Sequence, residues 1–356
     1  MSATRRGSPP LPELLVVVGG GGVGKTTLAA AIAQALAAGG EEALVMTFDP
    51  SLRLKDVLGL TGSGGGDEER VVPRTGGRLR ASLLDARRVF DRIVDAYAPD
   101  AAAAARIHAN PYYRHLAGRL SGILEYMAVE RLYEAAAESG RRRIVLDTPP
   151  AQQALDFLDA PRRIVDFLDS GALRLARREW FDAAGRLKAT RGLRGVGRRV
   201  EAYLDRVVGL DLLRDMVEFF HAFEPLLAGF RERALAVEAL LRSDRVGFLL
   251  VAPPGEHRVA ATMHFARALS ERDLTLSGLV INRIHPRTPP PEAQAPEGER
   301  LMHWLGEVDA AGLVALEERL PADLRRAALP LEARPPTDLD SLERLAERLA
   351  RSWRRG

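Results

Sequence analysis

The chain has 356 residues, 46% of them hydrophobic and 28% charged, with a formal net charge of +3; this is enough apolar material for one large α/β domain, or for a core that carries an elaboration. It has no cysteine, which excludes disulfides and thiolate metal sites, and its seven histidines show no zinc-type spacing. The basic excess is local, because residues 171–200 hold nine Arg or Lys against Glu179 and Asp182 while the remainder is net negative, so a general nucleic-acid-coating surface is not expected.

Residues 1–12 are polar and proline-containing and read as a flexible tail. With no basic-then-apolar leader and no apolar run of about 18 residues, the expected location is the cytoplasm. Residues 13 to 27, ELLVVVGGGGVGKTT, are the most informative stretch. The run Leu14–Val18 has the β-branched character of a buried strand, and it feeds directly into GxxxxGK[ST] and then into the Ala/Leu-rich helical pattern of Leu28–Ala37. This is a phosphate-binding loop. Gly20, Gly21, Gly22, Val23 and Gly24 bring backbone N–H groups around phosphate oxygens, Lys25 reaches the terminal phosphates, Thr26 reaches magnesium, and Thr27 completes the motif. The chain has three lysines, at 25, 55 and 188, and writes arginine almost everywhere else. Lysine is kept at 25 because the position takes a compact ammonium, not a forked guanidinium.

A second strand, Ala43–Phe48, ends at Asp49, where a carboxylate can orient water toward a γ-phosphate. After a Gly-rich loop (Thr61–Glu69), a strand is predicted at Leu79–Leu84. Another, from Arg143 to Leu146, ends at Asp147, the arrangement that holds magnesium directly or through water. Either aspartate alone also fits a helix cap or turn former. Further strands are predicted at Val246–Val251 and Leu276–Ile281, and Pro286–Glu299 reads as an exposed loop. Strands alternating with helices imply a mostly parallel sheet flanked by helices, with the ligand beyond the strands' carboxyl ends. Two helical stretches, 86–138 and 160–242, are too long for simple crossovers and predict an inserted helical subdomain. The core is then 13–85, 139–159 and 243–356.

Within the second stretch, Leu212 to Phe230 presents a wide apolar face that includes Met216, Phe219, Phe220 and Phe223, with Pro225 kinking or dividing the helix. Such a face is either a groove for an apolar helix or ordinary core. The basic stretch Arg174–Arg199 reads as a solvated helix face, a rim for acidic flanks of a partner, or a helix lying on an anionic membrane surface.

The glycine loop, FDPSLRLKDVLGL, LDTPPAQQALDFL, LVINR and LPL together resemble the arsenite-pump and tail-anchored-protein-targeting ATPases, a family of dimeric P-loop ATPases, over nearly the whole length. The resemblance implies ATP and Mg2+ as cofactors, Asp49 as the water-activating aspartate and Asp147 as the switch-II aspartate near magnesium. It also implies that Asn282 reads adenine and that Pro330 lies in the loop closing over the base. For partners it implies a homodimer or a heterodimer with a related ATPase, a hydrophobic helix client such as a tail anchor, and a membrane receptor. Three departures stand out. The family's signature lysine is Gly20 here, the cysteines used by both named relatives are absent, and the Gly-His of the second switch is Gln152-Gln153. Without the lysine, hydrolysis is expected to be slow, to depend on another arginine, or to depend on a lysine from a non-identical subunit. A nucleotide-dependent dimerising scaffold with little turnover is the alternative reading.

Overall fold

The computed structural model describes residues 11–48, 53–60, 70–72, 75, 76, 78–110, 113, 123–138, 140, 142–149, 151–169 and 226–353. Its elements, in chain order, begin with β1 (Leu14–Gly19), α1 (Lys25–Ala38), β2 (Ala43–Thr47), α2 (Arg53–Val57), β3 (Arg70–Val71) and β4 (Leu79–Leu83). There follow α3 (Ala86–Tyr97), α4 (Ala101–Ala109), α5 (Ile123–Glu138), β5 (Arg143–Asp147), α6 (Ala151–Leu168) and α7 (Leu226–Leu241). The last are β6 (Val246–Ala252), α8 (Glu256–Ser270), β7 (Leu276–Ile284), α9 (Glu297–Arg319), β8 (Arg326–Pro330) and α10 (Leu339–Ser352). No described helix is long and apolar enough to cross a membrane.

The strands form one sheet in the order β3-β4-β2-β5-β1-β6-β7-β8. Every pairing is parallel except β3 on β4 at the edge. The six predicted strands are all present. Two edge strands were not foreseen: β3, only two residues long, and β8, whose sequence RAALP lacks the β-branched residues that mark the others. Pro330 is therefore the last residue of a strand, not part of a loop. β1 lies at the centre of the sheet with every residue buried, and its side chains serve two cores by simple alternation. Leu15 and Val17 pack with Leu28, Ala29 and Ile32 of α1 and with Leu342, Leu345 and Leu349 of α10, whereas α8 and α9 pack against the β6–β7 end of the sheet. The alanines of α1 let that helix lie close to both the sheet and α10. Asp338 caps α10, accepting from the backbone N–H of Ser341 at 2.8 Å, while the Ser341 hydroxyl lies 3.1 Å from the Asp338 backbone N–H that donates to it.

The chain divides into two compact units: Met1–Leu84, Leu132–Leu155 and Leu240–Gly356 in one, Asp85–Arg131 and Asp156–Ala239 in the other. The first holds the sheet. The second is helical among its described residues and is centred on aromatic rings. Phe90 stacks on Tyr113 with centroids 5.1 Å apart and meets Phe230 edge-on at 5.8 Å, and Tyr126 lies 6.4 Å from Phe230. Glu130, fully buried there, takes the Arg233 guanidinium and the Tyr126 hydroxyl as donors. Burial, reinforced by the Glu130 carboxylate, pushes the Tyr126 phenol well above its usual range.

Candidate functional site

The site is built where β1 hands over to α1. Gly19 has φ +150°, and a Cβ there would lie 2.2 Å from the Val251 carbonyl oxygen, so the loop leaves the sheet along a path that other residues cannot follow. Gly24 closes the loop at φ +98°, where a Cβ would lie 2.5 Å from Nδ2 of Asn282. Between these points the chain frames a cleft of about 310 Å³ bordered by Gly21, Gly22, Lys25, Thr26, Thr27 and Thr148. Lys25 is largely buried, and its ammonium donates to the carbonyl of Gly20 at 2.8 Å, folding the side chain over the loop it serves.

Sheet order then decides which carboxylate meets the loop. β5 lies between β1 and β2, so its last residue, Asp147, sits in register with both Val17 and Thr47. Its Oδ2 accepts from the hydroxyl of Thr26 at 2.7 Å and from the hydroxyl of Thr47 at 2.9 Å. The next residue, Thr148, donates to the carbonyl of Val17 at 2.8 Å and ties the segment after β5 to the loop-bearing strand. A hydroxyl and a carboxylate converging beside glycines at positive φ form the hard-oxygen donor set that magnesium on a polyphosphate takes. Among the described residues no group of three or more His, Cys, Asp or Glu could hold a metal ion. The oxygen donors that the described residues offer such an ion are the hydroxyl of Thr26 and the Asp147 carboxylate.

A second cleft, of about 150 Å³, continues from Gly24 and Thr27 toward Asn282, Pro330, Leu331, Pro335 and Pro336. Asn282 is not the first residue after its strand, as the sequence suggested, but lies within β7, and its Nδ2 donates to the carbonyl of Val23 at 2.8 Å. It thus braces the glycine loop from across the sheet. The same residue borders this second cleft together with Pro330, Pro335 and Pro336. A third opening, about 290 Å³, lies against Gly19 to Val23 and is bordered by Leu250, Pro253, Arg258, Thr262 and Phe265.

The structure thus brings Gly21, Gly22, Gly24, Lys25, Thr26 and Thr27 to one cleft, with Asp147 buried and bonded to the hydroxyl of Thr26, and Asn282 and Pro330 to the adjoining one, while Gly20 and Val23 border the third opening. Asp49 lies outside the described residues, as do the basic stretch and Met216, Phe219, Phe220 and Phe223. Leu226 and Phe230, the described end of that apolar face, are buried in the helical unit. Sequence reasoning missed Thr47 and Thr148, which act through strand register, and Arg53, Arg283, Pro336 and Thr337, which border the first cleft. Of these, Arg53, Thr148 and Arg283 stand in stretches that the sequence marks, FDPSLRLKDVLGL, LDTPPAQQALDFL and LVINR.

Residues 13–177 match the family model of the anion-transporting ATPases, a span that covers the glycine loop, β2 and β5 and is just short of half the chain. No curated protein matches.

Proposed function

Because residues 13–177 match the family model of the anion-transporting ATPases, we propose that the chain binds Mg-ATP in the clefts around the glycine loop and hydrolyses it. The carrying observation is the meeting of Thr26 and Asp147 at 2.7 Å beside Lys25, since it joins a phosphate-reading cation to magnesium-type oxygen donors. In this reading the loop's N–H groups and Lys25 hold the phosphates, with the ammonium exchanging the Gly20 carbonyl for a phosphate oxygen. Thr47 keeps Asp147 in place while Thr26 turns its hydroxyl toward the metal. Asn282 and Pro330 flank the base. Asp49 orients the attacking water, and magnesium, when bound, neutralises charge on the phosphate oxygens.

ATP-driven closure of two subunits, identical or related, is proposed to control an apolar helix client held by the helical unit. The wide apolar run Leu212–Phe230 supports this, together with the neighbouring basic stretch as a rim for acidic flanks and for a membrane receptor. Gly20, where relatives place a lysine, favours a second reading: a scaffold that dimerises on nucleotide and turns over little.

Equilibrium binding and single-turnover hydrolysis by the purified chain separate these roles. Lys25→Ala is expected to lower Mg-ATP affinity by roughly a thousandfold or more, whereas Asp49→Asn should keep affinity and lose turnover. Equal loss of affinity in both variants would remove Asp49 from the hydrolytic step. Wild-type chain that binds ATP without hydrolysing it would establish the scaffold instead.

A further inference from the structure

The pairing of β7 with β8 is interrupted at one place. Ile281 pairs with Ala328, and the next pair is Ile284 with Pro330, so β7 advances three residues while β8 advances two. Pro330 has no N–H to give to the ladder, and the extra residue on β7 is accommodated as a bulge. In a regular strand, neighbours point to opposite faces. Here Asn282 and Arg283 both border the base-side cleft. Arg283 has φ +67°, and Asp273, in the turn before β7, is the other non-glycine residue at positive φ among those described. For an arginine this conformation is costly, and it persists only where the surroundings impose it.

Position explains what that backbone accomplishes. Arg283 borders the phosphate cleft, the base-side cleft and the third opening, and no other described residue borders all three. It is exposed, and its side chain makes no hydrogen bond or ion pair to another described residue. The residues common to the phosphate and base-side clefts are Gly24, Thr27, Arg283 and Pro336, which places Arg283 where a nucleotide's phosphates join its sugar. Position 20 supplies no cation; a Cβ there would meet only the Cγ1 of Val23, at 3.5 Å, so a side chain can start from it.

We infer that Arg283, turned toward the glycine loop by the β7 bulge, is the second phosphate-binding cation of the site. Its guanidinium grips the nucleotide's phosphates beside Lys25 in place of a charge from the loop itself. A planar fork suits this, because phosphate accepts two parallel N–H bonds. The inference rests on the nucleotide-binding reading above. It adds a residue that decides affinity for the charged part of the ligand.

Glycine adopts φ +67° without strain, so Arg283→Gly removes the cation and keeps the bulge. With the full chain, Kd values for Mg-ATP and for adenosine are measured by calorimetry or ligand competition, alongside the melting temperature. The expected result is a melting temperature equal to or above wild type, Mg-ATP bound about 10- to 100-fold more weakly, and adenosine affinity unchanged. Arg283→Lys should recover part of the loss, and so should Gly20→Lys added to Arg283→Gly. Mg-ATP bound by Arg283→Gly as tightly as by wild type overturns the inference while leaving nucleotide binding intact. A parallel loss of adenosine overturns it too, by showing that Arg283 merely shapes the base slot. Wild-type chain that binds neither ligand overturns this inference and the proposed function together.

Discussion

Each unit of the molecule buries a carboxylate, and the two are satisfied in opposite ways. Glu130, in the helical unit, is held by the guanidinium of Arg233 and the hydroxyl of Tyr126. Asp147, in the sheet unit, is held by the hydroxyls of Thr26 and Thr47. A guanidinium pairing fixes both position and charge and is expensive to take apart once formed, because the fully buried carboxylate would be left without its counter-charge. A hydroxyl can rotate, give its proton elsewhere and present a lone pair instead. The first arrangement suits a scaffold. The second suits a place where donors must be exchanged when a ligand arrives, and it lies beside the glycine loop.

Three substitutions sharpen or break that contrast. The largest stability effect is expected from Phe230→Ala, which removes the ring that touches both Phe90 and Tyr126 and should cost about 3–4 kcal/mol. Denaturant unfolding checks the value. Mg-ATP affinity under native conditions should be unchanged, and a tenfold weakening would show that the helical core is coupled to the nucleotide site. Next comes Glu130→Ala, expected to cost about 2–3 kcal/mol because the guanidinium of Arg233, itself partly exposed, loses its carboxylate. A loss under roughly 0.5 kcal/mol, the usual effect of a surface substitution, would make the pair no more than a surface contact. Thr47→Val is the smallest, about 1–2 kcal/mol, since it keeps volume and removes one donor to a buried carboxylate. Here binding carries the information: magnesium-dependent tightening of ATP should weaken several-fold, while magnesium-free binding stays as it was. If neither changes, Thr47 contributes to packing alone.

Much of the sheet unit is legible in the sequence because its signals are local. A β-branched run, six residues rich in glycine and a lysine-threonine pair state a strand, a turn and a helix start within fifteen positions, and the match of residues 13–177 agrees with that reading. What could not be read depends on a partner strand. Thr47 becomes a site residue only because β5 is inserted between β1 and β2 and sets it opposite Asp147. Asn282 and Arg283 share a cleft only because Pro330, nearly fifty residues later, interrupts a ladder. β8 escaped notice because its side chains, RAALP, carry no strand preference, and its place is fixed by β7. In the helical unit the opposite difficulty holds. The apolar spacing of α7 is plain, yet spacing alone does not say whether Phe230 faces a client or its own core, and the structure buries it.

The nucleotide clefts are assembled from residues far apart in order of synthesis. Gly24 and Lys25 are made early, Asn282 and Arg283 much later, and Pro336 and Thr337, followed by the α10 side chains that brace α1, later still. At usual translation speeds that interval is on the order of tens of seconds. Throughout it the glycine-loop residues are present without those that border the second cleft from β7 onward. If the clefts hold a nucleotide as proposed, the residues that would contact its phosphates are made long before those that would contact its base, and selectivity between nucleotides is the last property of the site to be completed.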